Sequence, residues 1–373
     1  MNILIVGEFS GFAKHLQSGF ELLGHKVVVV KDGDGFKKIP HSKDDIVYDS
    51  SRCLRVFGRR IPLSNMLWFK MENKKIADSL SLHGCFDLIV VICDIFVTVD
   101  NSTVGVSLEY LREQVSKGTK LIFTSCGGDA AYSAYRKELK YHDIAFPRNF
   151  RNYLDERLTR KKRDRLNNIL ELSRCVIVTA WDYFYTINRY IQEQLNKERE
   201  VYYCQLPIME EPYTIQPCEN RKIVVFHGVI RAQRKGTPFI ISALEKIKRD
   251  FPDKVEVTVR GHMPYQEYVE LFDKIDVLID QTNGYGTGIN ANIGLMRGKV
   301  VLSNNEIEEE ELRGYKSPVV GIQPDSNQIY EVLKDLIFNP EKIDRIKQES
   351  RDYAMEHLRS DIIAKSYIEF ARL

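Results

Sequence analysis

Two basic residues precede a helical pattern in the second half of the chain. In the segment FHGVIRAQRKGTP, at residues 226–238, Arg231 and Lys235 are four positions apart. Backbone N–H groups at the start of a helix bind phosphate, and nearby cations strengthen that binding. The segment therefore predicts a diphosphate site with Arg231 and Lys235 as its cations and with His227 and Gly228 beside them. The alternative is a surface loop whose three basic side chains are solvated.

A diphosphate held in this way favours chemistry in which it is the leaving group. Negative charge grows on its phosphate oxygens as the bond to a sugar breaks, so fixed cations stabilise the transition state more than the ground state. We therefore expect a catalytic role for Arg231 and Lys235. No metal ion is needed if these two cations do the work of Mg²⁺, and no cofactor is expected besides the substrate.

A second loop, between two apolar β-type runs, offers groups suited to the rest of a nucleotide sugar. It lies within residues 276–304, DVLIDQTNGYGTGINANIGLMRGKVVLSN, and leads into a helical pattern. Backbone N–H groups at a helix start suit phosphate, and asparagine amides suit sugar or ribose hydroxyls. For Asn290 a helix N-cap is the alternative. The candidate donor-binding residues of this loop are Gly286, Thr287, Gly288, Asn290 and Asn292.

Two strand-to-helix junctions in the first half could face the same ligand. Asp129 closes the segment TSCGGD and could orient a hydroxyl group of an acceptor or of the donor sugar, with a helix N-cap as its alternative. The segment GEFSG, at residues 7–11, has glycines that let a backbone approach a substrate closely. We assign Gly7, Ser10 and Gly11 to an acceptor-side loop. The segment lacks GxGxxG and gives little support to NAD binding.

The elements that must position these loops alternate between apolar β-type runs and helical patterns. Continuous apolar runs such as Lys26–Val30 predict parallel strands covered on both faces, as in a doubly wound α/β domain. Prolines punctuate the chain after residue 206, and the alternation then restarts. We therefore predict two Rossmann-like domains that face a central cleft, at residues 1–207 and 208–357, with a C-terminal helix at 358–373 that packs back on the first.

The second half also resembles a known family. Arg231, the run Lys235–Gly236–Thr237 and the run Ala243–Leu244 are similar to the R…KGT…AL signature of GT-B glycosyltransferases. The similarity is greatest to the retaining group called family 4 or group 1. The run Gly298–Lys299–Val300–Val301 is similar to the family's G-K-P-V-V, and Gly24–His25–Lys26–Val27 to its GHEV. The resemblance spans nearly the whole chain and implies the GT-B fold.

The resemblance implies a transferase that moves a sugar from a nucleoside diphosphate to a glycan or lipid-linked acceptor, with retention, in the synthesis of surface polysaccharides or glycoconjugates. The leaving phosphate oxygen would take the acceptor's proton, so we assign no fixed base. The resemblance also places His262 and Met263 beside the nucleotide base, with a surface turn as the alternative. The family's two glutamates, the second of which usually binds the ribose hydroxyls, fall at Tyr285 and Ile293, and neither residue is acidic in this sequence.

Two other functions would use the same features. A sugar-nucleotide epimerase of this fold would release free nucleotide without an acceptor. A degenerate, non-catalytic nucleotide-binding protein is the third hypothesis, and the missing glutamates at Tyr285 and Ile293 are its support. Nucleotide binding without hydrolysis or transfer would distinguish the third hypothesis from the two enzymes.

Composition limits the partners and the compartment. The 54 basic and 52 acidic residues give a net charge of +2, which offers no overall attraction to nucleic acid. Seven scattered cysteines without a CxxC pair predict reduced thiols and a cytoplasmic location. We expect no signal peptide and no membrane span, because no apolar run approaches about 20 residues. The basic stretch Arg148–Arg165 predicts either peripheral contact with an anionic membrane or a solvated helix face.

Overall fold

The computed structural model describes residues 1–32, 39–49, 53–56, 59–62, 65–101, 103–142, 159–195, 198–218, 221–263 and 265–373. Two parallel sheets organise them, one in each half of the chain. Of the basic stretch Arg148–Arg165, only the residues from Thr159 are described, and they belong to a helix over Thr159–Leu172. The rest of the stretch lies outside the described residues.

A sheet of seven parallel strands is the frame of the first half. The strands of this half are β1 Asn2–Val6, β2 Lys26–Lys31, β3 Ile46–Val47, β4 Cys53–Val56, β5 Arg59–Pro62, β6 Leu88–Ile92, β7 Val97–Thr98, β8 Val106–Ser107, β9 Lys120–Ser125, β10 Cys175–Val178 and β11 Val201–Tyr203. The main sheet has the order β11-β10-β9-β6-β1-β2-β3, while β4 and β5 form a separate antiparallel hairpin and β7 pairs with β8.

Helices cover both faces of this sheet, as the apolar runs predict. They are α1 Phe12–Leu22, α2 Asn65–Ser81, α3 Leu108–Ser116, α4 Ala130–Tyr135, α5 Thr159–Leu172 and α6 Trp181–Gln194, with 3₁₀ turns at Asp94–Phe96 and Arg136–Glu138. Along β1, Ile3 and Ile5 belong to one core cluster while Leu4 and Val6 belong to another. All four are fully buried, which explains why the strand is apolar throughout instead of alternating.

The second half repeats this architecture with a smaller sheet. Its strands are β12 Ile223–Gly228, β13 Val255–Arg260, β14 Val277–Ile279, β15 Val300–Ser303 and β16 Val320–Gly321, in the order β13-β12-β14-β15-β16. Its helices are α7 Ala232–Lys235, α8 Thr237–Asp250, α9 Tyr265–Phe272, α10 Ile289–Met296, α11 Ile307–Arg313, α12 Ser326–Phe338 and α13 Pro340–His357, and α14 Ser360–Ala371 follows them. Every pairing in both main sheets is parallel, as the sequence predicts.

The chain crosses between the two halves at two adjacent places. The backbone of Ile208, in the proline-punctuated segment, donates to Leu358 (2.7 Å) and accepts from Ser360 (2.9 Å). After this crossing α14 packs on α1, where the absent side chain of Gly19 makes room for the carbonyl of Ser360. The domain limits 1–207 and 208–357 stay predictions. We call the part with the seven-stranded sheet the first domain and the part with the five-stranded sheet the second.

Candidate functional site

Each main sheet has one point at which the order of its strands reverses. It lies between β1 and β6 in the first domain and between β12 and β14 in the second. Ligands of doubly wound sheets bind outside the carboxyl ends of the strands at such points. Most of the predicted donor residues lie in or beside the loops after β12 and β14, while His262 and Met263 follow β13, and the predicted acceptor-side loop follows β1. The sequence therefore placed these candidates at the edges where this fold binds ligands.

Backbone strain is concentrated at the same edges. Among the described residues, Ser10, Cys93, Arg231 and His262 have φ values of 58°, 65°, 57° and 55°, a region that side chains other than glycine rarely adopt. They follow the carboxyl ends of β1, β6, β12 and β13, respectively. Such residues persist where surrounding structure holds them, and they cluster at ligand sites.

Arg231 is the most available cation of the loop after β12. It is exposed and precedes α7 in the left-handed conformation, without capping that helix through its side chain. Within the described part of the chain, no hydrogen bond or ion pair involves its guanidinium. Five donors in a planar fork remain free to bind a phosphate group. The catalytic and diphosphate-binding role of Arg231 stays a prediction.

Lys235 is held by a buried carboxylate that the sequence argument did not select. Its ammonium lies 2.8 Å from Asp280, which directly follows β14, and the same carboxylate oxygen accepts from the amide of Asn290 at 2.9 Å. Burial raises the pKa of Asp280, but the charge and hydrogen bond of Lys235 outweigh that effect and bring the pKa below its ordinary value. Lys235 thus lies at the predicted place but its charge is already paired.

The two candidate asparagines of α10 point to different surroundings. Asn290 joins the pair of Lys235 and Asp280, and its Oδ1 is buried without a hydrogen-bond partner among the described residues. Asn292 donates to the carbonyl of Leu206, in the segment that connects the domains, and is 1% exposed. Residues two positions apart lie on different sides of a helix. Asn290 is therefore the asparagine that the structure brings to the basic loop, and Asn292 is not.

Arg234, the third basic residue of the loop, contacts the first domain. Its guanidinium lies 5.5 Å from the ring centre of Tyr132, which is in α4. Burial lowers the pKa of Arg234, but Tyr183, Tyr132 and Asp182 outweigh that effect and raise it. These partners all belong to the first domain, so the basic loop lies at the boundary between the domains. The solvated-loop alternative is wrong for this residue.

His227 and Gly228 are the last two residues of β12 and do not belong to the loop, although the sequence predicted them beside the cations of that loop. The ring of His227 is fully buried; Nδ1–H donates to the carbonyl of Ile279 (2.8 Å), so Nε2 accepts from the hydroxyl of Thr237 (2.9 Å). Burial lowers its pKa to about 4. Both nitrogens are engaged, so His227 holds β12, β14 and α8 together and has no free nitrogen for a donor.

The turn after β13 places its two candidates differently. His262 is exposed in its strained conformation, while Met263 is buried in the core cluster that spans both domains. Gly261 packs closely on the loop after β12, since an added Cβ would lie 2.2 Å from the carbonyl oxygen of Val229. The turn and the basic loop therefore lie side by side, and His262 is the candidate on its open side.

The glycine loop after β14 packs on a glutamate from the next helix. A Cβ at Gly286 would lie 2.7 Å from the carboxyl carbon of Glu309, which is in α11. Gly286 is therefore explained by this packing as well as by any ligand. Gly288 is the N-cap residue of α10, and Thr287 lies between the two glycines without a hydrogen bond from its side chain to a described residue.

Asp129 is a helix N-cap, which was the alternative to its predicted role. One carboxylate oxygen accepts from the backbone N–H of Tyr132 (2.7 Å) and the other from the hydroxyl of Ser125 (2.5 Å). The residue is fully buried, and burial together with nearby Asp94 raises its pKa to about 7. A carboxylate that is buried and engaged at both oxygens cannot orient a substrate hydroxyl, so the catalytic assignment is corrected.

The acceptor-side loop after β1 contains its own anion. The carboxylate of Glu8 accepts from the backbone N–H groups of Gly11 (2.8 Å) and Lys14 (3.2 Å), at the start of α1. Gly7 is required by packing, because an added Cβ would lie 2.1 Å from the ring of Phe96. Glu8 thus occupies the helix start that a phosphate would use. Of the three predicted loop residues, only Ser10 is exposed.

The described residues contain no group of three or more histidine, cysteine, aspartate or glutamate side chains that could hold a metal ion. A separate point concerns membranes: none of the helices described is long and apolar enough to cross a bilayer. Arg165, at the end of the predicted basic stretch, is buried in an ion pair with Asp94 (3.0 Å) and does not belong to a solvated face.

Comparison by structure finds similar proteins where comparison by sequence does not. No family model and no curated protein matches the sequence. Sucrose-phosphate synthase from Thermosynechococcus elongatus matches 100% of this chain and 98% of its own, with a TM-score of 0.61 and 13% identity. An α-glucosyltransferase in complex with UDP-glucose and DNA matches 100% of both chains, with a TM-score of 0.60 and 11% identity.

A third similar structure is HepE from Anabaena in complex with UDP, with a TM-score of 0.56, 13% identity and 99% of both chains covered. At these identities the similarity concerns the fold. The paired parallel sheets, the boundary between them and the match over the full length of each protein agree with the expectation from the sequence. The chain therefore has the GT-B fold that it shares with these glycosyltransferases.

Proposed function

We propose that the protein is a glycosyltransferase that moves a sugar from a nucleoside diphosphate to an acceptor. One observation carries the proposal: the loop after β12 brings Arg231, exposed and unpaired among the described residues, and a positioned Lys235 to the reversal point of the second sheet, at the domain boundary. The complexes of similar structures with UDP or UDP-glucose support a uridine nucleotide as the first donor to test.

The chemistry follows from the charge that must be moved. The bond between the anomeric carbon and the diphosphate oxygen breaks, the anomeric carbon bonds to the acceptor's hydroxyl oxygen, and the hydroxyl proton passes to the diphosphate. Because Asp280 already neutralises Lys235, Arg231 supplies most of the uncompensated positive charge. We propose that the Oδ1 of Asn290 accepts a hydroxyl of the donor, since this buried oxygen lacks a partner among the described residues.

Retention, the acceptor and the cellular setting are part of the same proposal. We propose a glycan or lipid-linked acceptor, as the family resemblance implies. We also propose that the enzyme is cytoplasmic and contacts the membrane through the basic stretch before Arg165. The ion pair of Lys161 with Asp100 (2.9 Å) lies at the described end of that stretch. Co-sedimentation with anionic but not with neutral vesicles is the expected result; equal binding to both would contradict membrane contact.

The test of the proposed activity is turnover with a panel of nucleotide sugars that includes UDP-glucose. Acceptors are offered as glycans, lipid-linked sugars and duplex DNA. We expect the Arg231→Ala, Lys235→Ala double variant to lose about a hundredfold or more in kcat/KM, since the cation of Arg231 and the cation paired with Asp280 are both removed. Circular dichroism must show that the double variant is folded, and Arg231→Ala alone, which leaves the pair of Lys235 and Asp280 intact, should account for most of the loss. Lys248→Ala, an exposed lysine on α8, is the matched control and should keep full activity.

The outcomes separate the three functions. Transfer that is undiminished in the double variant would contradict the assignment of the diphosphate site. Release of free UDP without any sugar acceptor would favour the epimerase hypothesis, with the epimerised sugar as its product. Calorimetric binding of UDP by the wild type with neither hydrolysis nor transfer would favour a non-catalytic nucleotide-binding protein.

A further inference from the structure

A set of carboxylate and aromatic contacts joins the two domains beside the glycine loop after β14. We call residues 284–288 of this loop the donor loop, and we call the set of contacts the interdomain clasp. Its members in the second domain are Tyr285, Glu306 and Glu309, and its members in the first domain are Lys140, Tyr141, Trp181 and Tyr203. The diphosphate chemistry proposed above uses none of these residues.

Glu309 connects the clasp to the donor loop. Its carboxylate accepts from the backbone N–H of Trp181 (2.6 Å) and from the hydroxyl of Tyr203 (2.8 Å), both in the first domain. The same carboxylate fills the space above Gly286, where no Cβ could fit. Glu309 is 2% exposed. A single buried side chain thus contacts the donor loop on one side and the first domain on the other.

The residue before this glycine is also fixed by the first domain. The hydroxyl of Tyr285 accepts from the backbone N–H of Lys140 (2.8 Å), and its ring lies 4.6 Å from that of Trp181 and 5.8 Å from that of Tyr141. Glu306, whose backbone N–H donates to the carbonyl of Tyr285 (3.2 Å), accepts from the ammonium of Lys140 (2.8 Å). The shape of the donor loop therefore depends on groups of both domains.

We propose that Glu309 is a positioning residue that couples the donor loop, residues 284–288, to the docking of the two domains. When the domains are docked, Trp181 and Tyr203 hold the carboxylate of Glu309 against Gly286, and the loop has the shape that the structure shows. When they separate, Glu309 loses both partners and the loop loses its support. The proposal rests on the proposed function for its consequence in catalysis but not for the coupling itself.

Two backbone amides make the coupling measurable without any substrate. The N–H of Trp181, at the first position of α6, donates to Glu309, and the N–H of Lys140 donates to Tyr285. Both lie in the first domain, and both are bonded by side chains of the second. Hydrogen–deuterium exchange at these amides therefore reports domain docking, and exchange in peptides that cover residues 284–288 reports the state of the donor loop.

The experiment compares two pairs of variants. Tyr203→Phe removes a first-domain donor to Glu309, and Tyr202→Phe makes the same change one position earlier, where the ring stacks on Phe370. Glu309→Gln is matched by Glu311→Gln, an exposed glutamate of the same helix. We expect Tyr203→Phe to speed exchange both at Trp181 and in the donor loop by about tenfold, the effect of one lost hydrogen bond to a carboxylate. Glu309→Gln keeps an oxygen that accepts from Trp181, so we expect it to remove only the pH dependence of that exchange.

The decisive result is the response of the loop to a change in the other domain. Faster exchange in residues 284–288 of Tyr203→Phe, with Tyr202→Phe and Glu311→Gln like the wild type, would support the coupling. Exchange that increases only at Trp181 and leaves the loop unchanged would overturn it. Circular dichroism confirms that each variant is folded.

Donor binding gives the second measurement, with UDP-glucose as the probe. We expect Tyr203→Phe to raise KM for the donor with a smaller change in kcat, because the loop must be ordered when the donor binds. Absence of turnover in the wild type with every nucleotide sugar of the panel would contradict the proposed function, and the coupling would then be judged by the exchange result alone.

Discussion

At the scale of single residues, the side chains with obvious charge are not all available to a ligand. Arg231 has no side-chain partner in the part of the chain that the structure describes, but Lys235 is paired with Asp280, and Asp129 and Glu8 cap helices of their own domain. A buried carboxylate left without its cation is costly. The value of Lys235 to the molecule is therefore partly structural, which makes its substitution ambiguous unless Asp280 is changed as well.

We predict that Lys235→Ala lowers the free energy of unfolding by about 3 kcal/mol, because it leaves Asp280 buried and unpaired. The double variant Lys235→Ala, Asp280→Asn should recover most of that loss, since the amide carries no charge. Urea denaturation followed by circular dichroism measures both. If the double variant is less stable than Lys235→Ala alone, Asp280 does not depend on Lys235 in the way described.

A second residue-scale prediction concerns Gly286. Its replacement by alanine would place a Cβ 2.7 Å from the carboxyl carbon of Glu309, so the glutamate or the loop must move. We expect Gly286→Ala to cost about 1–3 kcal/mol of stability, as overpacking usually does. It should also weaken donor binding measured by calorimetry with UDP. Gly84→Ala, where a Cβ meets no atom within 4 Å, is the control and should change neither.

At the scale of elements, the loops that follow parallel strands divide into three classes. Those after β12 and β14 carry the basic loop and the glycine loop, whereas the one after β1 is filled by Glu8. The start of α11 belongs to a third class, because Glu306 and Glu309 use it to bind the first domain. Element order predicted where these loops lie, but the partner of each loop is a matter of contacts between elements.

The pKa values of the two glutamates of the clasp are shifted in opposite directions, and this predicts a pH at which docking is most stable. Burial raises the pKa of Glu309 to about 7, with Asp182 adding to the effect and the donors Trp181 and Tyr203 and the cation Arg313 opposing it. Docking gains from protonated Glu309 below its ordinary pKa and loses that gain as the pH rises through about 7.

Glu306 sets the acidic limit. Although burial raises it, the hydrogen bonds from Lys140, Tyr141 and Gln323 bring the pKa of Glu306 below its ordinary value. Its contribution is present above that ordinary value and is lost as the pH falls through the lowered one. Exchange at the Trp181 amide, corrected for the intrinsic rate, should therefore be slowest at weakly acidic pH. An unaltered alkaline limb in Glu309→Gln would contradict the assignment.

At the scale of the whole molecule, two separate sets of contacts join the two domains. The clasp joins them beside the donor loop, and the adjacent crossings at Ile208 and Leu358 join them where the chain passes between halves. The helix α14 then packs on α1 of the first domain. Because the last helix returns to the first domain, the second domain is connected to the first by the chain on both sides, and this resists separation of the two domains.

We predict that Gly19→Ala displaces α14. An added Cβ would lie 2.0 Å from the carbonyl oxygen of Ser360, which is backbone and cannot rotate away. The expected result is a fall in the thermal midpoint of several degrees, for a cost of about 2 kcal/mol or more. Faster exchange in peptides of α14 should accompany it. The neighbouring Ser18→Ala should leave both measurements unchanged, and an equal effect of the two would contradict the packing argument.

The sequence determined the class of fold and the edges at which ligands are expected. Fully apolar strands such as β1 can only be buried on both faces, and loops that follow parallel strands must emerge at one edge. Both are local consequences of chain chemistry. The signature around Arg231 and Lys235 likewise placed the basic loop correctly before the second-domain helix α8.

Only the tertiary structure decided which of these side chains are free. Asp280 lies 45 residues from Lys235 in the chain, Glu306 lies 166 residues from Lys140, and Glu309 lies 128 residues from Trp181. No periodicity encodes a pairing across such distances. The same carboxylate or asparagine is a ligand, a cap or a clasp according to the element that packs against it, and that packing exists only in the folded chain.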